Sequence, residues 1–177
     1  MTSYRIRQIG DPVLREPCRD VEAFDDALRT LAQDMTEAMY AAPGVGLAAN
    51  QVGLSLRMFV YDAGDGAGPG AVANPVVTLL DGEQDEEEGC LSISGVYRPT
   101  VRALRVRLDG TDLEGSSVSI EAEGLLARIF QHETDHLNGT LYIDRLSEED
   151  RRSALAEYRD LELNAARPRT KPATPTE

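Results

Sequence analysis

The chain of 177 residues has two histidines, His132 and His136, and both fall in the stretch QHETDHLNG at 131–139. Residues four apart on an α-helix share a face, so the pair aims two imidazoles at one point. A helix offers two nitrogens to a metal in this way. Glu133 stands one step round, where it can act as general base on a water that the metal activates. A catalytic metal site takes a third protein ligand and leaves one position for water. The acids Asp144, Glu148, Glu149 and Asp150 follow the pair, and Cys90 in EEGCLSI precedes it. A thiolate with two imidazoles is a mixed, soft donor set that suits Fe(II), Zn(II), Ni(II) or Co(II). Cys18, in LREPCRD, belongs to no such pattern and reads as a bystander.

These groups need elements to hold them. A helix over about Leu125 to Leu137, closed by Asn138-Gly139, carries the histidines. For the thiolate to join them, Cys90 must sit on a strand packed beside that helix, and Cys90 to Ile93 is a short apolar stretch. Upstream, Leu28, Leu31, Met35 and Met39 recur at helical spacing and predict a core-facing helix over Phe24 to Tyr40. Asp25 or Asp26 caps it, and Pro43-Gly44 follows its end. Next come the small residues of GVGLAANQVG, 44–53. Strands are expected over Leu56–Tyr61, Ala71–Leu80, Val101–Leu108 and Ser117–Ala122, the last two joined by a hairpin-type loop at Asp109–Gly115. The glycine-rich DAGDGAGPG at 62–70 has no P-loop lysine and reads as a flexible loop. The acidic run DGEQDEEEG at 81–89 reads as solvated surface. Ser147 to Asp150 resembles a capping box opening a last helix to about Asn164. Adjacent strands followed by a helix fit an α+β class. Residues 1–164 are expected to form one domain, and 165–177, rich in proline, a disordered tail.

With 31 acidic against 18 basic residues the formal net charge is −13. That excludes a general electrostatic footprint for DNA and disfavours anionic membrane surfaces. No apolar run approaches the ~20 residues of a membrane span. The first residues lack a signal-peptide core. Two cysteines make no disulfide framework, so a cytoplasmic setting is expected.

Three segments, GVGLAANQ (44–51), EGCLS (88–92) and QHETDH (131–136), resemble the three motifs of the peptide deformylases, in order. IRQIGDPVLREPC and EAEGLLARIFQHETDHLNG are similar to that family too, and the likeness covers about residues 4–160. The resemblance implies antiparallel β-sheets surrounding a central helix that carries H-E-x-x-H, with further helices towards each end. It implies hydrolysis of the formyl group of N-formylmethionine on nascent chains. Cys90, His132 and His136 would bind one metal, Fe2+ in the cell, with Zn2+, Ni2+ or Co2+ in a purified sample. Glu133 would be the acid/base, Gln51 and the Leu91 N–H would hold the formyl oxygen, and Gly46 would let backbone approach the substrate. Such a hydrolysis builds charge on the carbonyl oxygen, which donors aimed there stabilise.

Glycines 44 and 46 permit close contact and positive φ. Val45, Leu125 and Ile129 are expected in the wall of a methionine pocket. Arg128, one turn before His132, would bring a guanidinium to its rim or to the substrate. Glu88 is expected to pair with an arginine such as Arg102 and so orient the strand bearing Cys90. Ser94 stands where a proline often follows CLSI. The expected partners are formyl-Met peptides of nascent chains, with transient ribosome contact; Arg167, Arg169 and Lys171 form a small basic group in the tail. Two other readings are a different H-E-x-x-H peptidase with an acidic third ligand, and a non-enzymatic descendant that keeps the fold as a binding module.

Overall fold

Apolar residues at helical spacing, then at alternating spacing, build the elements in chain order in the computed structural model, which describes residues 4–166. Helix α1, Asp26–Ala41, starts where the Asp25 side chain accepts from the Leu28 N–H, and buries Leu28, Ala32, Met35 and Met39. Each of its larger buried side chains stabilises the fold by about 1.5–3 kcal/mol relative to exposure. Strands β1, Gly46–Ala48, β2, Met58–Tyr61, and β3, Gly70–Leu79, follow. Then come β4, Glu83–Cys90, and β5, Ile93–Ala103, as a hairpin. Strands β6, Arg105–Thr111, and β7, Ser117–Glu123, lead into α2, Gly124–Leu137. Helix α3, Glu148–Ala165, is capped by Ser147, whose hydroxyl accepts from the Asp150 N–H at 3.1 Å.

Five strands form one antiparallel sheet in the order β1-β2-β3-β6-β7, and β4 and β5 form a second, two-stranded one. The expected α+β class, with sheets around a histidine-bearing helix, is what the chain adopts. Helix α2 packs on the large sheet through Ala127, Phe130 and Leu137, against Phe59, Val72, Val106 and Leu108. Phe130 meets Tyr61 edge-on at 5.0 Å between ring centres. Helix α1 covers another part of the sheet through Met35 and Met39 against Leu47, Met58 and Val60. Cys90, Ile93 and Val96 pack with Tyr142, Ile143 and Ala154 in a third cluster.

Two sequence expectations change. Residues 81–89 are not merely solvated surface, because 83–90 are strand β4. Pairing with β5 supplies its backbone partners, and only part of its charge faces water: Glu83, Asp85, Glu86 and Glu87 are exposed, while Glu88 is buried. Val101–Leu108 is two strands rather than one, since the chain leaves the hairpin at Ala103 and enters the large sheet at Arg105. In β3 the register shifts between Ala73 and Val76, where Pro75 offers no N–H to the ladder. There Asn74 adopts φ 51°, and its amide clasps both backbone groups of Val21, at 2.8 Å to N and 3.0 Å to O.

The first described residues run as a strap across the molecule. Arg7 N–H donates to Gln51 O at 2.7 Å, Ile9 N–H to Ser92 O at 2.9 Å and Cys18 N–H to Leu137 O at 2.9 Å. Gln8 Nε2 donates to Leu91 O at 3.1 Å. The strap thus holds the backbone of the first two motif segments and of Leu137, the residue that follows the third. The tail expected at 165–177 lies, from residue 167 on, outside the described residues. Among the described residues no helix is long and apolar enough to cross a membrane.

Candidate metal centre

Helix α2 is buried from Ala127 to Leu137 except at Thr134, so its polar residues must find partners inside the protein. Asn50, on the short 3-10 turn Ala49–Val52, donates to His136 O at 2.6 Å and ties the first motif segment to the helix end. The spacing of four brings the two histidine rings to 4.9 Å between centres. The last residue of β4, Cys90, lies opposite them. The Cys90 sulfur and one nitrogen from each histidine all lie within 4.8 Å of one another. Cys90 Sγ is 3.1 Å from His136 Nε2. The downstream acids do not join this group: Asp144 pairs with Arg15 and Arg151 and accepts from the Leu141 N–H, while Glu148, Glu149 and Asp150 are exposed on α3.

Behind His132 stands Glu88. His132 Nδ1 is 2.6 Å from Glu88 Oε1. An ionised carboxylate only accepts, so Nδ1 carries a proton and Nε2 is the nitrogen left for a ligand bond. Arg102 binds Glu88 twice, Nη2 to Oε1 at 2.6 Å and Nε to Oε2 at 3.0 Å, which is the pairing expected from the sequence. Arg128 Nη1 adds a bond to Oε2 at 2.7 Å and a second to Thr100 O at 2.9 Å. Arg102 then reaches Asp135 at 2.6 Å, and Asp135 takes Arg145 at 2.5 Å. Arg128 is therefore not a loose guanidinium at a pocket rim. It is buried and committed to Glu88, because a charge so enclosed needs a counter-ion. Asp135, Arg145 and Asn50 were not singled out from the sequence. A charged side chain on a helix predicted to be central was the available signal for Asp135.

The electrostatics suit a cation. Burial would push the Glu88 carboxyl up, but hydrogen bonds from His132 and Arg102 outweigh it and hold it well below the usual carboxylate range. Burial opposes charge on His132, yet Cys90 and Glu88 on its two sides raise its pKa well above the ordinary histidine value. Burial, then the neighbouring His132, push His136 well down, so its ring is neutral. Two imidazoles and a thiol converge beside an anion that stabilises positive charge, a donor set that fits one divalent cation.

Glu133 faces the same space. Burial, joined by the charge of Glu88, pushes its carboxyl up to about 7, against opposing effects of His132, the Ala48 amide and Arg102. Its Oε2 is enclosed and has no hydrogen-bond partner. Its Oε1 occupies the room that a side chain at Gly46 would need, since a Cβ there would lie 2.3 Å away. At Gly44 a Cβ would lie 2.6 Å from Leu91 Cδ1. Both glycines serve close approach, and neither takes a positive φ, contrary to that part of the expectation. Gln51 Oε1 accepts from the Ala48 N–H at 2.8 Å, which turns its NH2 towards the cluster. Nε2 is 3.1 Å from Ser92 Oγ and 3.7 Å from Cys90 Sγ.

A cleft of about 320 Å³ opens on these groups. Val45, Leu125, Arg128 and Ile129 line it together with Gly46, Gln51, Leu91 and Glu133. Val45 and Leu125 are about half exposed and form the lip, whereas Ile129 is buried. Ser94, in the proline position of the motif, is exposed, and its hydroxyl binds Leu91 O at 3.0 Å. Cys18 is buried in the core between sheet and α2, away from the cleft, and burial pushes its thiol up to about 11.

The family model described as polypeptide deformylase matches residues 3–152. A peptide deformylase of Acidothermus cellulolyticus is 50% identical over 157 residues, covering 89% of this chain and 86% of that one. The crystal structure of a peptide deformylase from Legionella pneumophila superposes with a TM-score of 0.88 at 42% identity, over 94% of this chain and 100% of the other. That from Thermus thermophilus gives 0.84 at 45% identity, over 91% and 96%.

Proposed function

The chain belongs to the polypeptide deformylase family, and from that premise we propose that it hydrolyses the formyl group of N-formylmethionine on newly made polypeptides, releasing formate. One observation supports the reading above the others. Cys90, His132 and His136 converge within 4.8 Å, and Glu133, whose Oε2 has no partner, lines the same cleft as Cys90 and His132. Cys90 Sγ and one ring nitrogen from each histidine would hold a divalent cation, Fe2+ in the cell, with Zn2+, Ni2+ or Co2+ as substitutes. A cation so bound supplies a Lewis acid that acidifies water and polarises a carbonyl.

The chain's own groups do the rest. The Glu133 carboxylate takes a proton from the attacking water and passes it to the amine nitrogen that leaves. Its elevation to about 7 places both transfers near neutral pH. Gln51 Nε2–H and the Leu91 N–H donate to the formyl oxygen as its charge grows. Gly46, without a Cβ, leaves the Glu133 carboxyl room to face the reacting carbon. Val45, Leu125, Ile129 and the stem of Arg128 surround the methionine side chain. Residues 1–164 act as one catalytic domain in the cytoplasm. The contact with nascent chains involves a transient approach to the ribosome.

The test is to purify the protein anaerobically, measure its metal, and follow formate from a formyl-Met peptide. Metal near one equivalent with formate release is expected. Cys90→Ala is expected to lose both. Normal metal binding and formate release by Cys90→Ala would sink the ligand assignment, and no formate from the Fe2+-loaded protein would sink the activity.

A further inference from the structure

The cleft ends on a charged residue where an apolar one would serve methionine equally well. Arg128 keeps 6% of its surface exposed and lines the cleft. Its guanidinium is engaged along one edge only. Nη1 binds Glu88 Oε2 at 2.7 Å and Thr100 O at 2.9 Å, and Nη2 reaches Gln84 O at 3.5 Å. Its Nε–H makes no hydrogen bond among the described residues. Nor does this nitrogen belong with the fully enclosed, unpartnered side-chain atoms. A donor with residual exposure is therefore left open on a residue that lines the cleft.

The local charge decides what such a donor would accept. Arg102 and Arg128 meet Glu88, and Arg102 and Arg145 meet Asp135, in one chain, while on the cleft wall itself Arg128 stands against Glu87 and Glu88. A carboxylate entering beside Arg128 would meet Glu87 and Glu88 as well as that one guanidinium. A neutral oxygen keeps the attraction to the guanidinium and lacks the repulsion. A thioether sulfur is only a weak acceptor, whereas a sulfoxide oxygen on the same chain is a strong one.

We propose that Arg128 sets the first-residue specificity of the cleft towards side chains ending in a neutral oxygen acceptor. Methionine sulfoxide is the case of methionine's own length. The proposal rests on the deformylase reading and extends it, so that formyl-methionine sulfoxide peptides are substrates. Loss of a charge-assisted hydrogen bond to a buried donor changes discrimination steeply, because a site built to bond an oxygen is left unpaired without it.

The experiment follows formate release by metal-saturated protein from three peptides that share Ala-Ser after a formylated first residue: methionine, methionine sulfoxide or norleucine. The wild-type chain is expected to process the sulfoxide peptide at least as well as the norleucine one by kcat/KM. Arg128→Met, which keeps length and removes the donor, is expected to lower the sulfoxide-to-norleucine ratio about tenfold or more, and Arg128→Lys to recover part of it. The same order is expected in inhibition by the deformylated peptides, a readout independent of turnover. If Arg128 acts solely through Glu88, all three substrates fall together and the ratio stays within twofold, which overturns the proposal. Wild-type preference for norleucine over sulfoxide by tenfold overturns it without any variant. Absence of formate from every peptide counts against the deformylase reading instead.

Discussion

Glu88 offers the sharpest test of how the site is held. Its carboxylate is 4% exposed and accepts from Arg102 twice, from Arg128 and from His132. Glu88→Ala leaves Arg128 with backbone carbonyls alone and Arg102 with Asp135 alone. Removing one partner of a buried pair costs about 3–5 kcal/mol, because the remaining charge stays enclosed. For a domain of this size each kcal/mol lowers Tm by about 2–4 °C, so a fall of about 6–20 °C is expected in the metal-free protein. His132 also loses the acceptor that fixes its tautomer, so affinity for Zn2+ or Co2+ should fall about 10- to 100-fold. Urea unfolding measures the first quantity, and competition against a chromophoric chelator the second. A cycle adds a control: Arg128→Met should cost less in the Glu88→Ala background than in the wild type, by more than about 0.5 kcal/mol, because the two residues touch. A stability loss below about 1 kcal/mol, metal affinity within twofold and additive effects would together refute the view of Glu88 as the hub of the network.

Three further outcomes follow from individual residues. Gly46→Ala places a Cβ 2.3 Å from Glu133 Oε1, so kcat should fall about a hundredfold from displacement of the carboxylate. Tm should move little, because the backbone there is ordinary for alanine; equal activity in the variant would remove Glu133 from its position beside Gly46. In the metal-free protein the Glu133 carboxyl is raised to about 7, so its neutral form stabilises the fold below about pH 4.5, and that contribution is lost as pH rises through about 7. Glu133→Gln should therefore flatten the decline in stability between those values, and an unchanged pH profile by urea unfolding would contradict this. Cys18, raised to about 11 by burial, should react with iodoacetamide at pH 8 about a hundredfold more slowly than a free thiol; rapid labelling in a Cys90→Ala background would show it open to solvent.

Much of the site could be read in order along the chain. Helical periodicity placed α1 and α2 nearly to their ends, since Leu28, Met35 and Met39 on one and the cap at Asn138 on the other are local signals. The spacing of His132 and His136 also gave their common face. What joined Cys90 to them was its motif, because no local pattern reports which strand packs on a helix. The strand β4 was hidden for the same reason. Its sequence is acidic, and only the pairing with β5 and the arginines facing Glu88 make an extended, part-buried course favourable. Arg128 could be placed one turn from His132 by counting. Its commitment to Glu88 could not, since the carboxylate arrives from another sheet.

The strap also sets an order in time. Translation delivers residues 7 to 18 first, while the carbonyls that receive them belong to Gln51, Leu91, Ser92 and Leu137. Cys18 has no such partner until the histidine helix has been made to its last residue, Leu137. Contacts so distant along the chain slow folding, because a long loop is closed before they repay it. A chain halted short of Leu137 would lack the carbonyl that receives Cys18, the clasp between the strap and the end of the histidine helix.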